Sequence, residues 1–124
     1  MSATFIEWSL FHETREKHLP DAAYARLQQL LLRDPEAGAV MPGCGGLRKI
    51  RTADPRRGKG KRGGARFIYL HLPEAKRFLM VHIYGKDETA DLSAKEKRIL
   101  KALADVYKRE SIAQYQRWLK ENRQ

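Results

Sequence analysis

Residues 65–84 read ARFIYLHLPEAKRFLMVHIY. Two runs of apolar, β-branched and aromatic residues meet at Pro73-Glu74-Ala75-Lys76, and a short turn between such runs predicts an antiparallel pair of strands. The second run, residues 77–84, is nearly all apolar, the pattern of a central strand covered on both faces. The first opens as Ala65-Arg66-Phe67-Ile68-Tyr69. Upstream, Leu47-Arg48-Lys49-Ile50-Arg51 is another strand-like run, joined to Ala65 across a Gly/Lys/Arg loop at residues 56–64. A hairpin therefore displays the densest charge of the chain. Between Arg48 and Arg66 nine Lys or Arg residues stand against Asp54 alone, a net +8 of the formal +10. Charge so focused predicts a polyanionic partner.

Outward from this hairpin, residues 4–8 alternate as a first strand, with Phe5 and Glu7 on one face and Ile6 and Trp8 on the other. Residues 13–18 suggest a short helix. Pro20-Asp21 then reads as a helix start with Asp21 as N-cap, and Tyr24, Leu27, Leu30 and Leu31 recur as the apolar face of a helix reaching Arg33 and packing on the sheet. Residues 36–46, rich in Gly, Ala and Pro, read as an irregular connector. Ser93-Ala94-Lys95-Glu96 is a capping box opening a long helix. Its first apolar stripe is Leu100, Leu103 and Tyr107; a second, Ile112, Tyr115 and Leu119, lies about 120° around the axis at ~100° per residue. Two such stripes require either a break near Glu110-Ser111 or an apolar face, including Trp118, turned toward a partner. The expected fold is α+β, a small antiparallel sheet flanked by helices. One domain is expected over residues 1–124, with residues 110–124 a helical extension.

Composition narrows the class. A length of 124 residues with 42% hydrophobic content and eleven aromatic residues supports one modest core. No run approaches the ~18 apolar residues of a membrane span, and the start Met-Ser-Ala-Thr-Phe-Ile-Glu lacks the order of a secretory signal, so the expectation is a soluble cytoplasmic protein. Cys44 is the only cysteine, which excludes an internal disulfide and a cysteine-rich zinc site. His12, His18, His71 and His82 show no ligand spacing, so no metal or cofactor is expected. Gly58-Lys59-Gly60-Lys61-Arg62-Gly63 matches the dinucleotide fingerprint in letters, but a strand follows it where the fingerprint needs a helix N-terminus. Those glycines suit a charged loop that must approach a phosphate backbone closely.

If the chain is a catalyst, cations must carry the chemistry, because neither a Ser-His-Asp arrangement nor paired carboxylates accompany the basic region. RNA permits this. Its 2′-OH attacks the adjacent phosphate once the groups are held in line, the proton is taken, the phosphorane charge is neutralised and the leaving 5′-oxygen is protonated. Arg supplies a bidentate phosphate donor; a crowded Lys, or a Tyr, exchanges protons when its pKa is suitably shifted. Alternation projects Lys49 and Arg51 to one face, where Arg66 of the neighbouring strand can join them.

With those residues assembled, the chain resembles the RelE-superfamily toxins, close to the HigB-like branch of bacterial type II toxin–antitoxin systems. The resemblance runs from Phe5 to about Tyr107. It rests on Gly45-Gly46-Leu47-Arg48-Lys49-Ile50-Arg51, on Gly60-Lys61-Arg62-Gly63-Gly64-Ala65-Arg66-Phe67-Ile68-Tyr69, and on Tyr84-Gly85-Lys86 followed by Asp91-Leu92-Ser93. It implies a ribosome-dependent mRNA endonuclease, an mRNA interferase cutting by 2′-OH attack without a metal. Lys49 and Arg51 would line the cleft, Lys49 being a candidate for proton transfer. Arg66 would grip the scissile phosphate, Lys86 would stabilise it or move a proton, and Tyr84 would orient the nucleotide. Arg48, Arg56, Arg57, Lys59, Lys61 and Arg62 would bind ribosomal RNA or backbone. Some relatives carry a catalytic tyrosine where residues 87–96 here have none, and Asp87 follows Lys86 where some have a second cation; the general base stays open.

The resemblance also implies partners: a cognate antitoxin of helix-turn-helix type, the ribosome and mRNA, and operator DNA only through the antitoxin complex, with no membrane. The apolar patch of the final helix, or the Tyr24 helix, would serve as the antitoxin contact. A rival reading is a non-catalytic RNA- or DNA-binding module with steep salt dependence. It lacks exposed aromatics spaced for stacking within the basic window, and no helix is basic enough to read a groove. A purely structural interaction protein fits less well, since net +2 outside the window shows charge focused beyond what solubility requires.

Overall fold

The computed structural model describes residues 3–51, 64–85 and 93–123. Its elements, in chain order, are β1 (Thr4–Glu7), α1 (Ser9–His18), α2 (Asp21–Arg33), β2 (Ala39–Val40), β3 (Arg48–Arg51), β4 (Ala65–Leu72), a 3-10 turn (Pro73–Ala75), β5 (Arg77–Gly85) and α3 (Ala94–Glu121). The strands form one sheet in the order β1-β5-β4-β3-β2. Neighbours from β2 to β5 pair antiparallel, as the turn and hairpin signals predict. β1 instead lies parallel to β5, which makes the sheet mixed. A parallel partner needs a crossover connection, and the chain between β1 and β5 includes α1 and α2.

The sheet separates two apolar layers. Phe11 of α1 and Tyr24, Leu27 and Leu31 of α2 pack with Phe67, Tyr69, Phe78, Met80 and Ile83. On the other side, Leu47, Ile68, Leu70, Leu79, Val81 and Tyr84 meet Ala104 of α3, with Leu100, Ile112 and Tyr115 partly buried against them. β4 and β5 are thus covered on both faces, which explains their nearly unbroken apolar runs. Cys44 is a buried thiol directed at the Pro42 carbonyl at 3.6 Å.

Three local expectations are corrected. Trp8 leaves β1 to become the N-cap of α1, which starts at Ser9 rather than Glu13 because Phe11 has a core to enter. Asp21 is the first residue of α2, not its cap: extended Pro20 precedes the helix, its carbonyl already accepts the Tyr24 amide at 2.9 Å, and the Asp21 carboxylate instead takes Arg15 Nη1 at 2.6 Å. The connector at residues 36–46 contains β2. Of the two alternatives for the last helix, the structure takes the one without a break: α3 runs for 28 residues from the expected capping box, in which Ser93 Oγ accepts the Glu96 amide and Glu96 Oε1 accepts the Ser93 amide.

A straight helix suffices because the line that touches the sheet is built on small residues. Ala104 and Ser111 are buried, while Leu103, Tyr107 and Leu119 of the two apolar stripes stay largely exposed, as does Trp118. The close approach of backbones at Ala104 lets a few large neighbours, Leu100, Ile112 and Tyr115, fill the flanks. No described helix is long and apolar enough to cross a membrane.

A candidate nucleic-acid interface across three strands

Register places the predicted cations in rows. Arg51 of β3 faces Arg66 of β4, and Arg66 faces Tyr84 of β5, so three side chains of the expected site line up across the sheet. The next rung on the same face is Lys49, Ile68 and His82. With strands about 4.8 Å apart, Arg51 and Tyr84 stand roughly 10 Å from each other at the level of the backbone, with Arg66 between them. Arg51 is exposed and Lys49 and Arg66 are half-buried. One guanidinium nitrogen of Arg66 donates to the Gly64 carbonyl at 2.8 Å.

Tyr84 reaches this row through a bulge. The β4–β5 pairing runs Ile68 with His82, then Tyr69 with Met80, so one extra residue of β5 sits opposite the Ile68/Tyr69 step. Before it, Phe78 and Met80 point to the α1/α2 layer and Leu79 and Val81 to the α3 layer; after it, Ile83 points to α1/α2 and Tyr84 to α3. An unbroken strand would reverse the last two. The same bulge sets Met80 on the face opposite His82 and Tyr84, where strict alternation would put all three together. His82 stands across from Ile68 in the cation-bearing rung, its ring 5.2 Å from that of Tyr84.

Beside Tyr84 and His82 the sheet and α3 leave a cavity of about 470 Å³, walled mainly by Trp8, Leu10, Ile68, Val81, Ile99 and Leu103 with Glu96 at its edge. Tyr107 leans on Trp8 at 5.0 Å. The Glu96 carboxyl is held below the usual range by its bonds to the Ser93 amide and hydroxyl, so it stays ionised and serves the helix start. Sequence gave no signal for this cavity, because it depends on how α3 crosses the sheet.

Arg48 is not brought to the row. It lies on the opposite face of β3, where Nη1 donates to the Gly38 carbonyl at 2.8 Å and Nη2 lies 3.8 Å from Glu36. Behind it the buried Tyr69 hydroxyl donates to the Pro35 carbonyl at 2.9 Å and accepts the Gly38 amide at 3.0 Å. Burial raises the pKa of that phenol. These bonds tie the 35–38 segment to the sheet. Gly38 admits the approach, since a Cβ there would meet Lys49 O and the Tyr69 ring at 3.0 Å.

Lys86, Arg56, Arg57, Lys59, Lys61 and Arg62 lie outside the described residues, as does the Gly58–Gly63 run. The described chain nevertheless enters and leaves both segments at one end of the sheet, at Arg51, Gly64 and Gly85, with Ala65 paired to Gly85. That is the end bearing Arg51, Arg66 and Tyr84. Among the described residues no group of His, Cys, Asp or Glu is placed to hold a metal ion. The arrangement offers fixed positive charge, a phenol and an imidazole along one edge, a set suited to a phosphodiester. Comparison with known families finds a match over residues 7–123 to the family described as the RelE toxin of the RelE / RelB toxin-antitoxin system.

Proposed function

For a chain that belongs to the RelE toxin family, and so is the toxin of a toxin–antitoxin pair, we propose the activity of a ribosome-dependent mRNA endonuclease. The observation that carries this reading is the Arg51–Arg66–Tyr84 row with Lys49 on the same face. Arg66, at the centre, holds the scissile phosphate and offsets the charge that grows on its oxygens. Arg51 and Lys49 add positive charge from the outer strand. Tyr84 packs against the nucleotide and sets the 2′-OH in line. The hydroxyl oxygen bonds to phosphorus as the bond to the 5′-oxygen breaks, leaving a 2′,3′-cyclic phosphate and a free 5′-OH. Lys49 and Lys86 are the candidates for taking the 2′-OH proton and returning one to the leaving oxygen.

The partner is an antitoxin, which we assign to the helix-turn-helix class, with operator DNA bound only by the pair. Primer extension on a defined message in a reconstituted translation reaction tests the activity. Cuts confined to translated message support it; cuts that appear equally without ribosomes, or none at all, oppose it.

A further inference from the structure

At the far end of β5 from the cation row, the last turns of α3 and the start of the sheet enclose a second cleft of about 700 Å³. Trp118 forms one wall, 55% exposed, its ring stacked on Tyr115 at 6.0 Å and 15°. Lys76 and Arg77 line the same cleft. Arg77 Nη1 donates to Gln114 Oε1 at 3.0 Å, which holds the guanidinium beside the aromatic pair. The neighbouring depression on α3, about 450 Å³, is lined by Arg117, Lys120 and Arg123. Among the described residues five cations and no carboxylate line the two hollows, which meet at Leu119.

Lys76 adds an independent observation. It closes the 3-10 turn in the left-handed region, at φ 49°, where glycine sits without the Cβ penalty and other residues are uncommon. A lysine there forgoes that ease, and the residue it places at the cleft is a cation.

We infer that this cleft is a second RNA contact, in which an unpaired base stacks on Trp118 and the flanking phosphates meet Lys76 and Arg77. An exposed indole beside fixed cations is the usual platform for single-stranded nucleic acid, because every base has a π-face and every nucleotide a charge. The five cations among the described lining residues favour a polyanion over an apolar protein segment. The choice of RNA rests on the proposed function. Arg77 and Tyr84 lie seven residues apart on one strand, about 23 Å at ~3.3 Å per residue, so the cleft and the row hold different nucleotides.

The test is the affinity of a labelled oligoadenylate for the full chain and for Trp118→Ala, Trp118→Phe and Lys76→Gly, with circular dichroism and melting as fold controls. Trp118→Ala weakens binding about 5- to 150-fold, the range for one lost base stack, and Trp118→Phe restores most of it. Lys76→Gly weakens binding while raising the melting midpoint, an opposition that a merely structural residue does not produce. Unchanged affinity in both Trp118→Ala and Lys76→Gly overturns the proposal, as does a Trp118→Ala effect confined to self-association or to a protein partner. Cleavage of translated message separates the two readings: cleavage with no Trp118-dependent binding removes only the cleft, and Trp118-dependent binding without cleavage removes only the endonuclease.

Discussion

Arg66 and Tyr84 stand directly opposite each other on β4 and β5, their Cβ atoms about 5 Å apart as in any cross-strand pair. They share a face only because β5 carries one extra residue at the Ile68/Tyr69 step. Arg51 completes the row from β3. A cation–cation–phenol sequence across three strands is therefore a product of register, and variants that leave register intact test each member.

In the proposed mechanism Tyr84 acts through its ring. Tyr84→Phe keeps cleavage within about threefold, whereas Tyr84→Ala lowers it about 10- to 100-fold through loss of alignment. Because Tyr84 is 9% exposed, both variants are compared at matched folded fraction by circular dichroism, with single-turnover cleavage as the readout.

Adjacent residues of β3 separate structure from chemistry. Arg48→Ala removes the bonds to Gly38 and Glu36 and costs about 1–2 kcal/mol in urea unfolding. Lys49→Ala leaves that unfolding curve nearly unchanged and lowers cleavage about 10²-fold, the scale for one transition-state donor.

The line by which α3 rests on the sheet is tight at Ala104, which is 1% exposed. Ala104→Leu overpacks it and lowers stability by about 1–3 kcal/mol. Ala102→Leu, at an exposed position of the same helix, shifts the urea midpoint little.

Glu96 gives the capping box a pH dependence. Its folded-state pKa lies below the ordinary 4.5, so its contribution is full above that value and is lost as pH falls through the folded pKa. Glu96→Ala is less stable than wild type at pH 7, and the gap narrows between pH 4.5 and acid. Thermal melts across that range measure it.

Much of this was legible from the residues. Nearly unbroken apolar and aromatic runs and the Pro73-Glu74-Ala75-Lys76 turn located β4 and β5; Ser93 and Glu96 located the start of α3; alternation put Lys49 and Arg51 on one face. What was not legible depends on partners distant in sequence. The bulge that turns Tyr84 toward Arg66 leaves no local mark, since Val81 and His82 read as ordinary strand residues. The parallel placement of β1 follows from where α1 and α2 carry the chain. Ala104 and Ser111 were invisible to an apolar-stripe reading because small side chains have little hydrophobic weight. Arg48 looked like one more cation of the cluster, and only its contacts with Gly38 and Glu36 set it apart.

The central claim is that Arg66 neutralises the phosphate under attack. Single-turnover cleavage of a translated message by wild type and Arg66→Ala, both confirmed folded by circular dichroism and still bound to ribosomes, tests it most directly. The account predicts a rate about 10²- to 10³-fold lower for the variant. Cutting by Arg66→Ala at the wild-type rate and positions would contradict it.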